Sequence, residues 1–309
     1  MPKIITITLN PSLDKSIAVP QLVPEKKLRC TKAALDPGGG GINVSRALHK
    51  LGVGSTAVFL SGGYTGKKLE ELLLEEQVDI VAIPIEAATR ENFIVFDEEK
   101  KQQYRFGMEG EMVGEAAWKA VLNYVNNATD ISYIVASGSL PPGVPVDFFG
   151  RLAAIAKRVQ CKLIVDTSGQ ALQYAAKEGL YLLKPNLNEL ASLTGKTELT
   201  GDGIVQAARA VIDRGGCEIM VVSMGADGAL LVTAEEQYLV KPPEVTVKST
   251  VGAGDSMVGG MIYALVKQWT YKEMLMYGVA AGTAATLHLG TELCKKEDTE
   301  RIFEGLKRE

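Results

Sequence analysis

Apolar positions along this chain switch repeatedly between two periods, and the switching predicts most of its architecture. Lys3 to Leu9 reads as a buried strand that ends at an Asn10-Pro11 turn. Gly41 to Leu51 moves to helical spacing, with Val44, Ala47, Leu48 and Leu51 on one face. A strand over 56–60 and a helix over 69–77 follow. From Gly114 the pattern repeats: helix 115–126, strand 132–136, helix 147–158, strand 162–166, helix 170–177, strand 180–183, helix 203–214 and strand 218–223. Short strands near 229–233 and 236–240, helices 253–267 and 272–287, and a charged amphipathic segment at 297–308 complete the chain. Strands alternating with helices of this length predict an α/β fold, a mostly parallel sheet covered on both faces.

Two stretches break the rule. Lys15 to Ala34 alternates charged and apolar residues around Pro20 and Pro24, and 89–96 and 102–108 alternate around the charged turn Asp97 to Lys101. Together they predict a small β-sheet lid built from two insertions, at about 15–34 and 89–108. No proline- or serine-rich linker divides the sequence, so residues 1–309 read as one domain carrying that lid.

Composition narrows the function more than the fold. The chain has 309 residues, 46% of them hydrophobic, with a net charge of -4 and a pI of about 5.5. No global positive field favours nucleic acid or an anionic membrane, and no apolar run approaches membrane-spanning length. Cys30, Cys161, Cys217 and Cys294 lack disulfide or zinc spacing, and the N-terminus lacks a signal-peptide pattern, so a cytoplasmic protein with reduced thiols is expected. Two histidines, His49 and His288, leave no material for a Ser-His-Asp triad or a multi-histidine metal site.

The chemistry gathers after predicted strands, where open α/β sheets bind ligands. Asp14, the glycine run 38–41, Ser137-Gly138-Ser139, Asp166, Lys184-Pro185-Asn186 and the turn before Asp255 all sit there. Ser249-Thr250-Val251-Gly252-Ala253-Gly254-Asp255-Ser256 opens a helix with small residues. Unpaired N–H groups and a positive dipole end make such a turn an anion site, and a carboxylate beside it suits phosphoryl transfer. Asn186 and Glu189, three apart and on one face of a starting helix, have the shape of a capping box. Gly62 to Lys68 has the wrong spacing for a Walker A loop, and the 38–41 run is not a dinucleotide fingerprint.

The Ser249–Ser256 motif with Gly259-Gly260, the opening Thr8 to Asp14, and Pro37 to Val44 together resemble the PfkB (ribokinase-like) family of sugar kinases over nearly the whole chain. The resemblance implies a ribokinase-like sheet sandwiched by helices, and ATP-dependent, Mg²⁺-requiring phosphorylation of a sugar phosphate. The four-glycine run is similar to that of family members acting on fructose 6-phosphate at its C1 hydroxyl; those acting on fructose 1-phosphate or tagatose 6-phosphate usually carry Gly-Gly-Lys-Gly. A catalytically silent sugar-phosphate sensor is the alternative of another class. Residue by residue, the resemblance implies Asp255 as general base, ionised and weak at a helix N-terminus, with the N–H groups of Gly252, Ala253 and Gly254 facing the transferred phosphoryl group. Asp14, Gly39 and Asn43 would take the sugar hydroxyls; Arg90 and Ser139, aided by lid residues Lys27 and Arg29, would take the 6-phosphate. Lys184, Asn186, Ser223, Gly225 and Gly228 would face the nucleotide, Asn186 and Glu189 would hold Mg²⁺ with its waters, and Arg105 is read as structural. Carbonyl oxygens near Ser249, Val251, Ala285 and Gly290 would form a K⁺ site. A homodimer joined through the lid is also implied.

Overall fold

The computed structural model describes residues 2–288 and 290–308. In chain order the elements are β1 (Lys3–Thr8), β2 (Ser12–Val19), β3 (Ala34–Gly38), α1 (Gly40–Leu51), β4 (Thr56–Ser61), α2 (Gly63–Glu75), β5 (Asp79–Pro84), β6 (Arg90–Asp97), β7 (Gln102–Phe106), α3 (Glu115–Asn127), β8 (Ile131–Ser137), α4 (Phe148–Arg158), β9 (Lys162–Asp166), α5 (Gly169–Ala175), β10 (Leu180–Leu183), α6 (Leu187–Thr194), α7 (Asp202–Asp213), β11 (Cys217–Ser223), β12 (Ala229–Val232), β13 (Gln237–Val240), α8 (Ala253–Val266), α9 (Tyr271–Thr286) and α10 (Lys296–Leu306).

Nine strands form one sheet in the order β13-β12-β11-β10-β9-β8-β1-β4-β5. All pairings from β5 to β11 are parallel, and β12 and β13 close one edge antiparallel. Side chains two apart share a face, so each strand feeds two cores. Ile5, Ile7, Ile134 and Ala136 pack with α3, α4, α5 and α7 on one side. Ile4, Tyr133 and Val135 pack with α1, α8, α9 and α10 on the other. Each fully buried aliphatic side chain contributes about 1.5–3 kcal/mol relative to exposure. Among the described residues no helix is long and apolar enough to cross a membrane.

A second sheet of four strands, β3-β2-β6-β7, joins the two insertions. Residues of β2 pair in parallel with β6, with Ser12 opposite Arg90 and Asp14 opposite Asn92. Three expectations change here. The segment 15–34 is not strand throughout: β2 starts at Ser12, residues 21–33 carry no strand, and β3 begins only at Ala34. Helix α2 begins at Gly63, not near Leu69, because the glycines read as a turn lie inside its first turn. The edge strand β5 was not foreseen; its six residues start at an aspartate and end at a proline, a weak strand signature.

The false Walker-like stretch resolves as a tight corner. Gly62 N–H donates to Thr89 Oγ1 at 3.1 Å, and Thr89 N–H donates to the Gly62 carbonyl at 2.9 Å.

Candidate active site

Strands β1, β8, β9, β10 and β11 end on one edge of the large sheet, and their last residues carry the polar groups foreseen there. Ser137 ends β8, Asp166 ends β9, Lys184 follows β10 and Ser223 ends β11. Against that edge stand the N-termini of α1 and α8 and the second sheet.

Gly252 is the N-cap of α8, in left-handed backbone at φ 71°, a conformation open to glycine at little cost. Among the described residues no side chain caps the helix, and the first internal bond is Ser256 N–H to the Gly252 carbonyl at 2.8 Å. The N–H groups of Ala253, Gly254 and Asp255 therefore precede the hydrogen-bonded ladder and remain the orphan donors of the turn. Asp255 lies in this first turn. Asn43 Nδ2 donates to its Oδ2 at 3.0 Å, joining α1 to α8 across 212 residues.

Asp255 is not the weak base that a helix N-terminus alone implies. Burial and then the neighbouring Asp166 push its carboxyl up to about 6, against the opposing pull of Asn43, Lys184 and Ser137. It remains largely ionised at neutral pH, yet it binds a proton far more readily than an exposed aspartate. Lys184 is buried, with Nζ 3.2 Å from Asp166 Oδ1. Burial alone lowers an ammonium's pKa, but Asp166, with Asp255 and Glu189 beyond, holds this one above the usual lysine value. A side chain at Gly254 would begin 3.8 Å from Lys184 Nζ, so the ammonium reaches the anion turn.

The sugar-side residues form a second group. Asp14 Oδ1 accepts from Ser12 Oγ at 2.8 Å and from Asn92 Nδ2 at 2.9 Å, and Gly38 packs against this carboxylate. Arg90 Nη2 donates to the Asn10 carbonyl at 3.0 Å and Nη1 to the Met108 carbonyl at 2.8 Å; its buried Nε has no partner among the described residues. Asn10 Nδ2 donates to Ser139 Oγ at 3.0 Å. Asn10, Arg90, Met108 and Ser139 border an open cleft of about 610 Å³. The guanidinium charge at this cleft, beside a hydroxyl and an amide, suits an oxyanion such as a phosphate.

Gly39 precedes α1 against Thr8 and Pro11. Gly40 begins α1, and close approach dictates its identity. A Cβ there would strike Ser137 Oγ and lie 2.8 Å from the Ser137 carbonyl carbon and 2.9 Å from Gly138 N. A lysine at this position would need β8 to shift.

On the other flank Asn186 and Glu189 do form the capping box. Glu189 N–H donates to Asn186 Oδ1 at 2.9 Å, and Asn186 N–H donates to Glu189 Oε2 at 2.8 Å. Burial raises the Glu189 pKa. One carboxylate oxygen is thus spent on the cap, and among the described residues no cluster of three His, Cys, Asp or Glu could cage a metal. An oxygen-only set this sparse fits a cation that keeps most of its water, as Mg²⁺ does. Ser223 bridges to Asn186, its N–H donating to the Pro185 carbonyl at 3.0 Å, and the 225–228 turn with Gly225 and Gly228 continues from it.

Ser249 Oγ donates to the Gly290 carbonyl at 3.1 Å and accepts from Val251 N–H at 3.2 Å, bringing three residues of the foreseen cation loop together. The Ala285 carbonyl instead accepts His288 N–H at 3.3 Å. Lys27 and Arg29 stand exposed on the loop between β2 and β3, with no bond to the other site residues among the described residues. Arg105, read as structural, ties the second sheet to the start of the anion turn: its Nη2 donates to Thr250 Oγ1 at 2.9 Å. Asn10, Asn92 and Arg105 were not foreseen as contacts of these residues: Asn92 and Arg105 lie on β6 and β7 with no local motif to mark them, and Asn10, inside the Thr8–Asp14 stretch, reads only as a turn residue.

A family model for pfkB family carbohydrate kinases matches residues 7–298. Over 309 residues the chain is 43% identical to the ATP-dependent 6-phosphofructokinase isozyme 2 of Escherichia coli (strain K12), covering 100% of both. It is similar to the crystal structure of phosphofructokinase-2 from Escherichia coli in complex with potassium, with a TM-score of 0.96 at 43% identity. The same holds for the complex of that enzyme with fructose-6-phosphate, with a TM-score of 0.94 at 42% identity; both matches cover 100% of each chain.

Proposed function

The chain belongs to the pfkB family of carbohydrate kinases, and we propose that it is an ATP-dependent 6-phosphofructokinase, passing the terminal phosphate of ATP to the C1 hydroxyl of fructose 6-phosphate. The observation that supports this most is the Asn43–Asp255 contact at 3.0 Å. It joins the sugar-side helix to a carboxylate beside an uncapped helix N-terminus. Asp255 takes the hydroxyl proton as the C1 oxygen attacks, and the N–H groups of the 252–255 turn meet the charge on the transferred phosphoryl group. The proton ends on Asp255, and ADP leaves. Asp14, Gly39 and Asn43 orient the sugar.

Lys184 and the Ser223–Gly228 turn face the nucleotide phosphates. Mg²⁺, held through water by Glu189 and Asn186, would neutralise charge on those phosphates when bound. Ser249, Val251 and Gly290 would offer oxygens to a K⁺ ion, with Ala285 a weaker contributor because its carbonyl is already engaged. The second sheet acts as a lid, and its outer strands β3 and β7 suit pairing with a second copy, which would bring further cations such as Lys27 and Arg29 to the substrate.

A second substrate reading, fructose 1-phosphate or tagatose 6-phosphate, is disfavoured by the four-glycine run, where relatives with those substrates usually carry a lysine; in this chain a Cβ at Gly40 would crowd Ser137. The deciding experiment is an ADP-release assay with MgATP and the three sugar phosphates in turn, the Asp255→Asn protein serving as blank. The highest kcat/KM is expected on fructose 6-phosphate. A lead for either rival would keep the chemistry and overturn the sugar, and no turnover on any would favour the sensor.

Arg90→Ala is expected to raise KM for fructose 6-phosphate by about 10–100-fold, the worth of one or two charge-assisted hydrogen bonds. Steady-state kinetics checks this; an unchanged KM would move the 6-phosphate elsewhere.

A further inference from the structure

One buried cation lies behind the site and takes no part in the mechanism above. Arg46 is 2% exposed. Its Nε and Nη2 fork onto Glu76 at 2.7 and 2.6 Å, at the end of α2, where a carboxylate otherwise sits against the negative helix terminus. Nη1 is directed at three acceptors from three segments: the Pro37 carbonyl at 2.9 Å, Asn43 Oδ1 at 3.3 Å and the Thr291 carbonyl at 3.4 Å.

The contact with Asn43 has a chemical consequence. A guanidinium only donates, so it accepts no amide NH₂ as a neighbour. Asn43 Oδ1 must therefore turn toward Arg46, and Nδ2 is left to donate to Asp255 Oδ2 at 3.0 Å. With the amide reversed, NH₂ would oppose the guanidinium and the carbonyl oxygen would oppose the carboxylate, losing both bonds. Asn43 and Arg46 stand three apart on α1, hence on one face.

We infer that Arg46 is a positioning residue for the kinase reaction: it fixes the Asn43 amide so that a donor always faces the Asp255 carboxylate. The inference rests on the reading of Asp255 as the base. Arg46 is faced by Glu76 from α2 and by Asp36 from β3, with Asp14 next to Asp36 on β2; Asp255 is faced by Asn43 from α1, Asp166 from β9, Lys184 after β10 and Ser137 from β8. No other cation approaches Asn43 Oδ1 among the described residues.

The test is a double-mutant cycle on the full-length chain with MgATP and fructose 6-phosphate. Arg46→Met, Asn43→Ala and the pair are assayed from pH 5 to 9, with unfolding curves for each. Arg46→Met is expected to lower kcat/KM about tenfold, to leave KM for ATP unchanged, and to move the acid limb of the profile to higher pH, since the carboxylate loses a donor. The double variant should be no slower than Asn43→Ala alone to within about twofold, because both changes remove the same contact. Arg46→Lys, which keeps the charge but not the fork, should recover part of the loss. Losses that multiply, or an unmoved limb, would overturn the inference.

Should Arg46→Met not fold, Glu76→Gln loosens the guanidinium while leaving it in place. A smaller shift of the limb in the same direction is then expected, and an unmoved limb with parent kinetics overturns the inference. Full activity in Asp255→Asn would sink the base reading instead, so the two failures are told apart.

Discussion

Replacing Asp255 by asparagine lowers kcat on fructose 6-phosphate by about 10²–10⁴-fold, the usual worth of a positioned base, while fructose 6-phosphate binding survives. Asparagine has the same shape and still offers Asn43 Nδ2 an acceptor, so the α1–α8 contact is kept. What disappears is the proton acceptor. The parent's kcat/KM should fall about tenfold per pH unit below a limb near pH 6, because only the ionised carboxylate accepts the proton. The residual activity of the variant should lack that limb.

Stability moves the other way. The folded carboxyl holds its proton up to about 6, against 3.8 for an ordinary aspartate. The folded state therefore gains from protonation, and the gain is complete below 3.8 and lost as pH rises through 6. Above pH 6 the parent carries an ionised group that burial and Asp166 disfavour. The neutral asparagine avoids this, so its unfolding midpoint at pH 8 should match or exceed the parent's. A variant with more than a tenth of parent kcat would remove Asp255 from the role of base; one that loses activity only by unfolding would fail the stability arm.

How far the site could be read in advance depended on whether each residue was marked locally. The Gly252–Asp255 turn was legible because glycine and alanine directly before an apolar helical run open a helix without a capping side chain of their own, and the parallel core because the apolar period switches cleanly at each strand. Asn186-x-x-Glu189 remained two-sided for a physical reason: a capping box and a hydrated-metal pair use the same spacing, and the cap is indeed formed. Arg46 was invisible. It stands in a helix whose apolar face already accounts for its pattern, and its partners Glu76 and Thr291 lie 30 and 245 residues away. The raised Asp255 pKa was likewise hidden, since a helix N-terminus predicts the opposite shift and only the folded sheet brings Asp166 near.

Lys184→Met is expected to damage both stability and turnover, and the two can be separated by pH. Lys184 is 5% exposed and its ammonium lies 3.2 Å from Asp166, with Asp255 acting on it from beyond. Methionine keeps the apolar stem and removes the charge, leaving two carboxylates facing each other without compensation. Breaking a buried pair this way costs about 3–5 kcal/mol, and water reaching the partly exposed Asp166 puts the expectation at the lower end. The Asp255 pKa should then rise further, moving the acid limb of kcat/KM upward. By the same linkage, a carboxyl whose folded pKa lies further above 3.8 gives back more stability on protonation, so the deficit against the parent should be full at pH 8 and shrink toward pH 5. Loss of the charge beside Gly254 should lower kcat by about 10²–10³-fold, as for removal of one donor from an anion site. Urea unfolding at pH 8 and pH 5, with kcat at pH 8, reads all three. A deficit that grows on acidification would contradict the charge arrangement, and a parent-like kcat in the folded variant would confine Lys184 to holding Asp166 in place.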